Sequence, residues 1–146
     1  MKTILTAGLV AGTLDIVEVC LYYAFFGIPP QRILQAIAGG LLGRDAFQGG
    51  NQTAALGLLL HLVIATTAAA VFYFASRKIA FLWEKPFISG ALFGLAVYLF
   101  MNFVVLPLSA AGPARLSMPV IANGLFAHVF CVGLPISLIT ARARAV

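Results

Sequence analysis

Charged side chains are what this chain most conspicuously lacks: they make up 9% of its 146 residues, and only four of them are acidic. A soluble domain carries about 25%, so the deficit is too large for a soluble core with an unusual surface. Cysteine is also scarce. Cys20 and Cys131 both lie inside apolar runs, so no disulfide framework is expected and the thiols should behave as small apolar side chains. Basic clusters are missing too. Nine Lys and Arg give a net charge of +5 but are scattered, which argues against nucleic acid as a partner; anionic lipid headgroups explain the bias better. Neither a phosphate-cradling loop, a nucleophile elbow nor a Ser–His–Asp arrangement is legible. No catalytic residue is assigned, and the chain is not expected to be an enzyme.

What is present is apolar, 62% of the residues. It falls into runs at about 3–26, 53–75, 86–106 and 119–141. A bilayer core is crossed by about 20 such residues, and lipid leaves helix as the natural conformation. The sequence therefore predicts an all-α integral membrane protein, a four-transmembrane-helix bundle forming a single membrane domain with the lipid bilayer as its first partner. Gly27-Ile28-Pro29-Pro30 stops the first run, Ser76-Arg77-Lys78 the second, Pro107 the third, and Arg142 with Arg144 the fourth. Met1-Lys2 and the apolar stretch after them imitate a secretory signal. Asp15 and Glu18 interrupt it and no small-residue cleavage site follows, so a retained first span is expected.

Between the first two runs, residues 30–42 place Ile33, Leu34, Ile37, Ala38, Leu41 and Leu42 on a helical stripe, with Arg32, Gln35 and Gly39 on the other side. The segment is too short to span and is read as an interfacial or re-entrant helix. Residues 43–52 read as exposed loop, with Gly49-Gly50-Asn51 as turn chemistry. Lys2, Arg77, Lys78, Lys85, Arg142 and Arg144 fall on one side of the bundle, and Arg32, Arg44 and Arg115 on the other. That excess predicts cytoplasmic termini and a cytoplasmic loop at 76–85, where Trp83 beside Phe81 suits an interfacial anchor.

The two halves look related. Gly8-x-x-x-Gly12 in the first run recurs as Gly90-x-x-x-Gly94 in the third, and Gly57-Leu58-Leu59-Leu60-His61 in the second as Gly124-Leu125-Phe126-Ala127-His128 in the fourth. Each motif returns two spans later, as a duplicated helical hairpin would require. The glycines themselves are expected to be packing faces that let helix backbones approach.

Four ionisable residues sit inside the runs: Asp15, Glu18, His61 and His128. A carboxylate at bilayer depth costs roughly 2.5–3.5 kcal/mol or more, so two in one helix need a reason. At 1.5 Å per residue, Asp15 and Glu18 lie about 18–22 Å from one face, and the histidines about 12–14 Å from the other. All four, with Asn102, fall in one slab. Asp15 and Glu18 are three apart and so share a side of their helix.

Several readings compete for this cluster. The bland one is interhelical hydrogen bonding, with the histidines pairing with the acids or Asn102, worth about 0.6–2 kcal/mol per bond. The leading active one is handling of protons or small ions, since carboxylate–histidine chains within spans mark such paths; a transporter this small would need a homodimer. A third is binding of a b-type haem by His61 and His128, or of a divalent metal by the two histidines and two acids. An accessory subunit of a larger membrane complex is the remaining alternative. Pro135, after Cys131-Val132-Gly133-Leu134, is expected to kink the fourth helix below His128.

The Gly-rich first span, a histidine in each of the second and fourth spans, and the stretch from Asn102 to Pro107 resemble YagU-like small bacterial inner-membrane proteins. The present chain is more compact and lacks a counterpart of that group's long loops. The resemblance implies a bacterial inner-membrane location and little chemistry.

Overall fold

A computed structural model describes residues 1–113 and 117–144; Arg115, one of the three basic residues assigned to the outer side, lies outside the described residues. The described chain is helical, with α1 at Lys2–Ala24, α2 at Pro30–Leu42, α3 at Gly50–Ser76 and a single turn, α4, at Phe81–Glu84. Two further long helices follow, α5 at Pro86–Leu108 and α6 at Met118–Arg144. Four of these, α1, α3, α5 and α6, are long and apolar enough to cross a membrane.

Proline and glycine set the boundaries. Pro30 and Pro86 occupy first-turn positions, where the missing N–H has no intrahelical partner to lose. Gly43 closes α2 with φ 62, in the region that glycine alone enters without strain. Pro107 stands one residue before α5 ends at Leu108, in keeping with the expected stop, and Pro135 lies inside α6. Each is preceded by a widened, π-helical stretch, at Met101–Val105 and Ala127–Gly133. A proline cannot donate to the carbonyl four residues back and its ring crowds that carbonyl; widening the preceding turns relieves both problems.

α1 packs along α3 on one side and along α6 on the other, and α5 packs on α6. Small residues form these contacts. Ala7, Ala11, Ala65, Ala69 and Ala127 are among the most buried side chains, while Leu5, Leu9, Leu14, Leu21, Phe87 and Leu92 face outward. A water-soluble bundle would reverse that arrangement. Gly8 lies against Thr66, and Gly12 against His61, Leu62 and Ala65. In the second pair Gly90 lies against Gly133, Leu134 and Ser137, and Gly94 against His128 and Val129. Near the terminal end of the bundle Phe72 and Phe93 meet edge to face, ring centres 4.9 Å apart, over the core residues Val132 and Ile136.

α2 departs from the expected picture. Gln35 and Gly39, placed opposite the apolar stripe, are buried along with Ala38 of that stripe, while its Leu41 and Leu42 are exposed. The helix turns that side toward α3 because Gln35 donates from Nε2 to the Gly50 carbonyl at 3.0 Å, and Gly57 lets α3 approach the backbone at Leu34 and Ala38. Residues 43–52 are mostly exposed, as expected, but not irregular: Gly43–Gln48 is a 3₁₀ turn with Ala46 fully buried, α3 starts at Gly50, and Thr53 donates to the Ala46 carbonyl at 2.6 Å. At its far end α2 reaches the turn that follows α5, where the Ala110 N–H donates to the Gly40 carbonyl at 2.9 Å.

Candidate functional site

The helices line a half-open cavity of about 720 Å³ to which every one of the long helices and α2 contributes. Its walls are apolar: Ile16 and Val19 from α1, Ile33 and Ile37 from α2, Val97 from α5, Val132 from α6. Part of α6 borders the space: Met118–Phe126, the portion before the π stretch, contributes no fully buried residue, whereas the π stretch and the portion beyond it bury Val132, Gly133, Ile136, Ser137 and Thr140.

Asp15, His61, His128 and Asn102 all line this cavity, joined by Tyr98 and Asn123. Asp15 is 7% exposed. Its Oδ2 lies 3.7 Å from His61 Nε2, too far for a hydrogen bond, and its Oδ1 is buried with no hydrogen-bond partner. His61 instead turns Nε2 to the Gly12 carbonyl at 2.8 Å, a bond between α3 and α1. His128 bonds within its own helix, Nδ1 to the Gly124 carbonyl at 2.9 Å, and packs edge to face on Tyr98 with ring centres 5.5 Å apart. Asn102 likewise bonds its own helix, Nδ2 to the Tyr98 carbonyl at 2.9 Å.

Glu18 stands apart from the other four. It does not line the cavity; it lies half-buried beside Asn123, with Oε2 buried and unpartnered. Three residues along a helix is a 300° turn, so neighbours at i and i+3 share a side without sharing a direction. The glycines divide similarly. Gly8, Gly12, Gly90 and Gly94 form the two helix crossings, Gly57 receives α2, and Gly124 lies under the Tyr98 ring, 2.6 Å from where its Cβ would stand.

Tyr98 and Asn123 are the members that sequence reasoning missed. Tyr98 precedes Asn102 by four residues, and Asn123 precedes Gly124 in the recurrent motif; both signals were available, since i and i+4 share a helix face.

No metal set assembles from these residues. Among the described residues, no group of three or more His, Cys, Asp or Glu side chains is placed to hold a metal ion. No family model, curated protein or solved structure was found to match the chain. Its class rests on its own architecture: an all-helical chain with four helices long and apolar enough to cross a membrane.

Proposed function

We propose that this chain is a multi-pass membrane protein whose Asp15 centre, flanked by His61 and His128, handles protons. The observation that carries the reading is the state of the Asp15 carboxylate. It is buried, one oxygen has no partner, and the nearest cation-forming group stands 3.7 Å off beside a cavity. A carboxylate retained as helix glue would be expected to have its bonds made, because the bond is what offsets the cost of placing it there. An incompletely paired acid next to imidazoles is suited to taking up and releasing a proton.

Supporting the membrane setting are the outward-facing large apolar side chains and the small-residue crossings. The asymmetry of basic residues favours cytoplasmic termini, and the resemblance to YagU-like proteins favours a bacterial inner membrane. Duplication of a helical hairpin gains support from the crossings, because Gly8 with Thr66 and Gly12 with His61 and Leu62 have sequence-equivalent partners in Gly90 with Gly133 and Gly94 with His128 and Val129. The acids have no such equivalents: Val97 and Phe100 stand where the second copy would carry them.

A structural reading retains one favourable observation, the interhelical bond from His61 to Gly12. The two readings separate in proteoliposomes loaded with a pH-reporting dye. Proton flux driven by an imposed potential is expected in the wild-type protein and should be lost in Asp15→Asn. Equal flux in both, or none above empty vesicles, removes the proton reading.

A further inference from the structure

A proton path needs a file of water or side chains, and the cavity is much larger than that. At about 720 Å³ it lies within the range of roughly 300–1,000 Å³ typical of small-molecule sites. Its volume would admit a small molecule as well as water.

The hydrogen-bonding groups at the cavity define the occupant's chemistry. A backbone carbonyl can only accept, so His61 Nε2 carries the proton it gives to Gly12, and His128 Nδ1 the proton it gives to Gly124. In each neutral ring the other nitrogen is then an acceptor. Asn102 spends an amide N–H on Tyr98, leaving its carbonyl oxygen and one N–H. Asp15 Oδ1 accepts from nothing. Three of these four side chains have already committed a donor to a main-chain carbonyl, and what they have left is chiefly acceptor; Tyr98 and Asn123 add a hydroxyl and an amide that can donate or accept. The group left without any partner is the carboxylate, which an occupant bringing donors and positive charge completes and one bringing only acceptors does not.

We infer that the cavity is a binding site for an organic ammonium, a compact apolar body bearing a protonated primary or secondary amine whose N–H groups bond the Asp15 carboxylate. The inference rests on the proton reading of Asp15, since the ammonium pairs with the carboxylate only after its proton has left. Proton and ligand therefore compete for one group. The cationic side chain on the cavity wall does not oppose this. Arg32 sits on α2, which begins beyond the end of α1, and that end is roughly 13 Å along the helix axis from Asp15. There its guanidinium stacks over the Phe47 ring at 4.6 Å. An anionic amphiphile could meet Arg32, but its apolar part would then have to cover the unpartnered carboxylate.

Three ligands sharing one hydrocarbon cage test this on the full chain in nanodiscs: 1-aminoadamantane, 1-adamantanol and 1-adamantanecarboxylate, measured by calorimetry against empty nanodiscs. Saturable binding of the amine is expected, at least about tenfold tighter than the alcohol, with the carboxylate weakest. In Asp15→Asn the amine-to-alcohol ratio should fall to about twofold or less while alcohol affinity holds, a comparison that also shows the variant is folded. Equal binding of amine and alcohol, a preference for the carboxylate, no binding above empty nanodiscs, or an unchanged ratio in Asp15→Asn would each overturn the inference. The ligand series on the wild-type protein needs no variant. If flux is lost in Asp15→Asn but the amine is not preferred, the proton reading stands and the ammonium site falls; an amine preference without Asp15-dependent flux removes proton transport and keeps the site, which then needs of the proton reading only that Asp15 lose its proton.

Discussion

His61 and Gly12 are joined across two helices: the imidazole Nε2 of α3 meets the carbonyl oxygen of α1 at 2.8 Å. The corresponding histidine in α6, His128, makes its bond to Gly124 of its own helix. The two should therefore differ in their effect on stability. His61→Phe removes a link between helices and is expected to cost about 0.6–2 kcal/mol, whereas His128→Phe keeps the edge contact to Tyr98 and loses only a bond within one helix. Thermal or denaturant unfolding in detergent measures both. Equal losses would mean that the bond to Gly12 does not couple α1 to α3.

A second pair of variants tests the helix crossings. A Cβ on Gly133 would stand 2.6 Å from the Gly94 nitrogen and 2.8 Å from its Cα, backbone atoms that cannot rotate away. Gly133→Ala should cost about 1–3 kcal/mol or prevent assembly. Gly39 is also buried in a helix, yet a Cβ there meets only the Ala46 Cβ, at 4.0 Å. Gly39→Ala should be neutral or stabilise by up to about 0.8–1 kcal/mol, the helix propensity difference. Unfolding curves of the two variants, set side by side, separate close approach from mere burial.

The third concerns α2. Gln35 is 4% exposed and holds the start of α3 through the Gly50 carbonyl. Gln35→Leu keeps the bulk and removes the donor, at a cost of about 1–3 kcal/mol. The loss should be local. Amide hydrogen exchange is expected to accelerate across 43–50, with α1 and α6 unchanged; uniform acceleration would show that Gln35 supports the whole bundle instead.

These variants also mark where sequence reasoning stops. The long apolar runs declare helices because length and hydropathy are local properties, and Pro30 and Gly43 bound α2 for local reasons. The interior of α5 and α6 is another matter. Pro107 reads as a stop and Pro135 as a kink, but the widened turns before each are not legible. Whether a chain breaks or widens depends on what packs beside it, which no window of sequence contains. Depth counting could place Asp15, His61, His128 and Asn102 in one slab, but not the direction of each side chain. Glu18 left the group for that reason. Gln35 and Gly39 went inward because α3 offered a carbonyl and a glycine, partners far away in sequence. The cavity was invisible for a related reason, since its walls come from five helices distant in sequence and from no particular residue.

The last prediction turns on the sign of a stability change. Burying an aspartate at bilayer depth costs roughly 2.5–3.5 kcal/mol, and in this chain no hydrogen bond to Oδ1 offsets it. Asparagine has nearly the same shape and carries no charge. If Asp15 were present to hold helices together, Asp15→Asn would lower the unfolding temperature, because a bond would be weakened. If it is kept for its chemistry, removing the charge relieves a strain that the fold otherwise carries, and stability should rise by about 1–2 kcal/mol, part of the insertion cost. His61→Phe and Asp15→Asn are thus expected to move unfolding in opposite directions although the two side chains stand 3.7 Å apart. Unfolding of both variants in the same detergent decides it: a destabilised Asp15→Asn would make the carboxylate structural and take away the principal argument for proton handling.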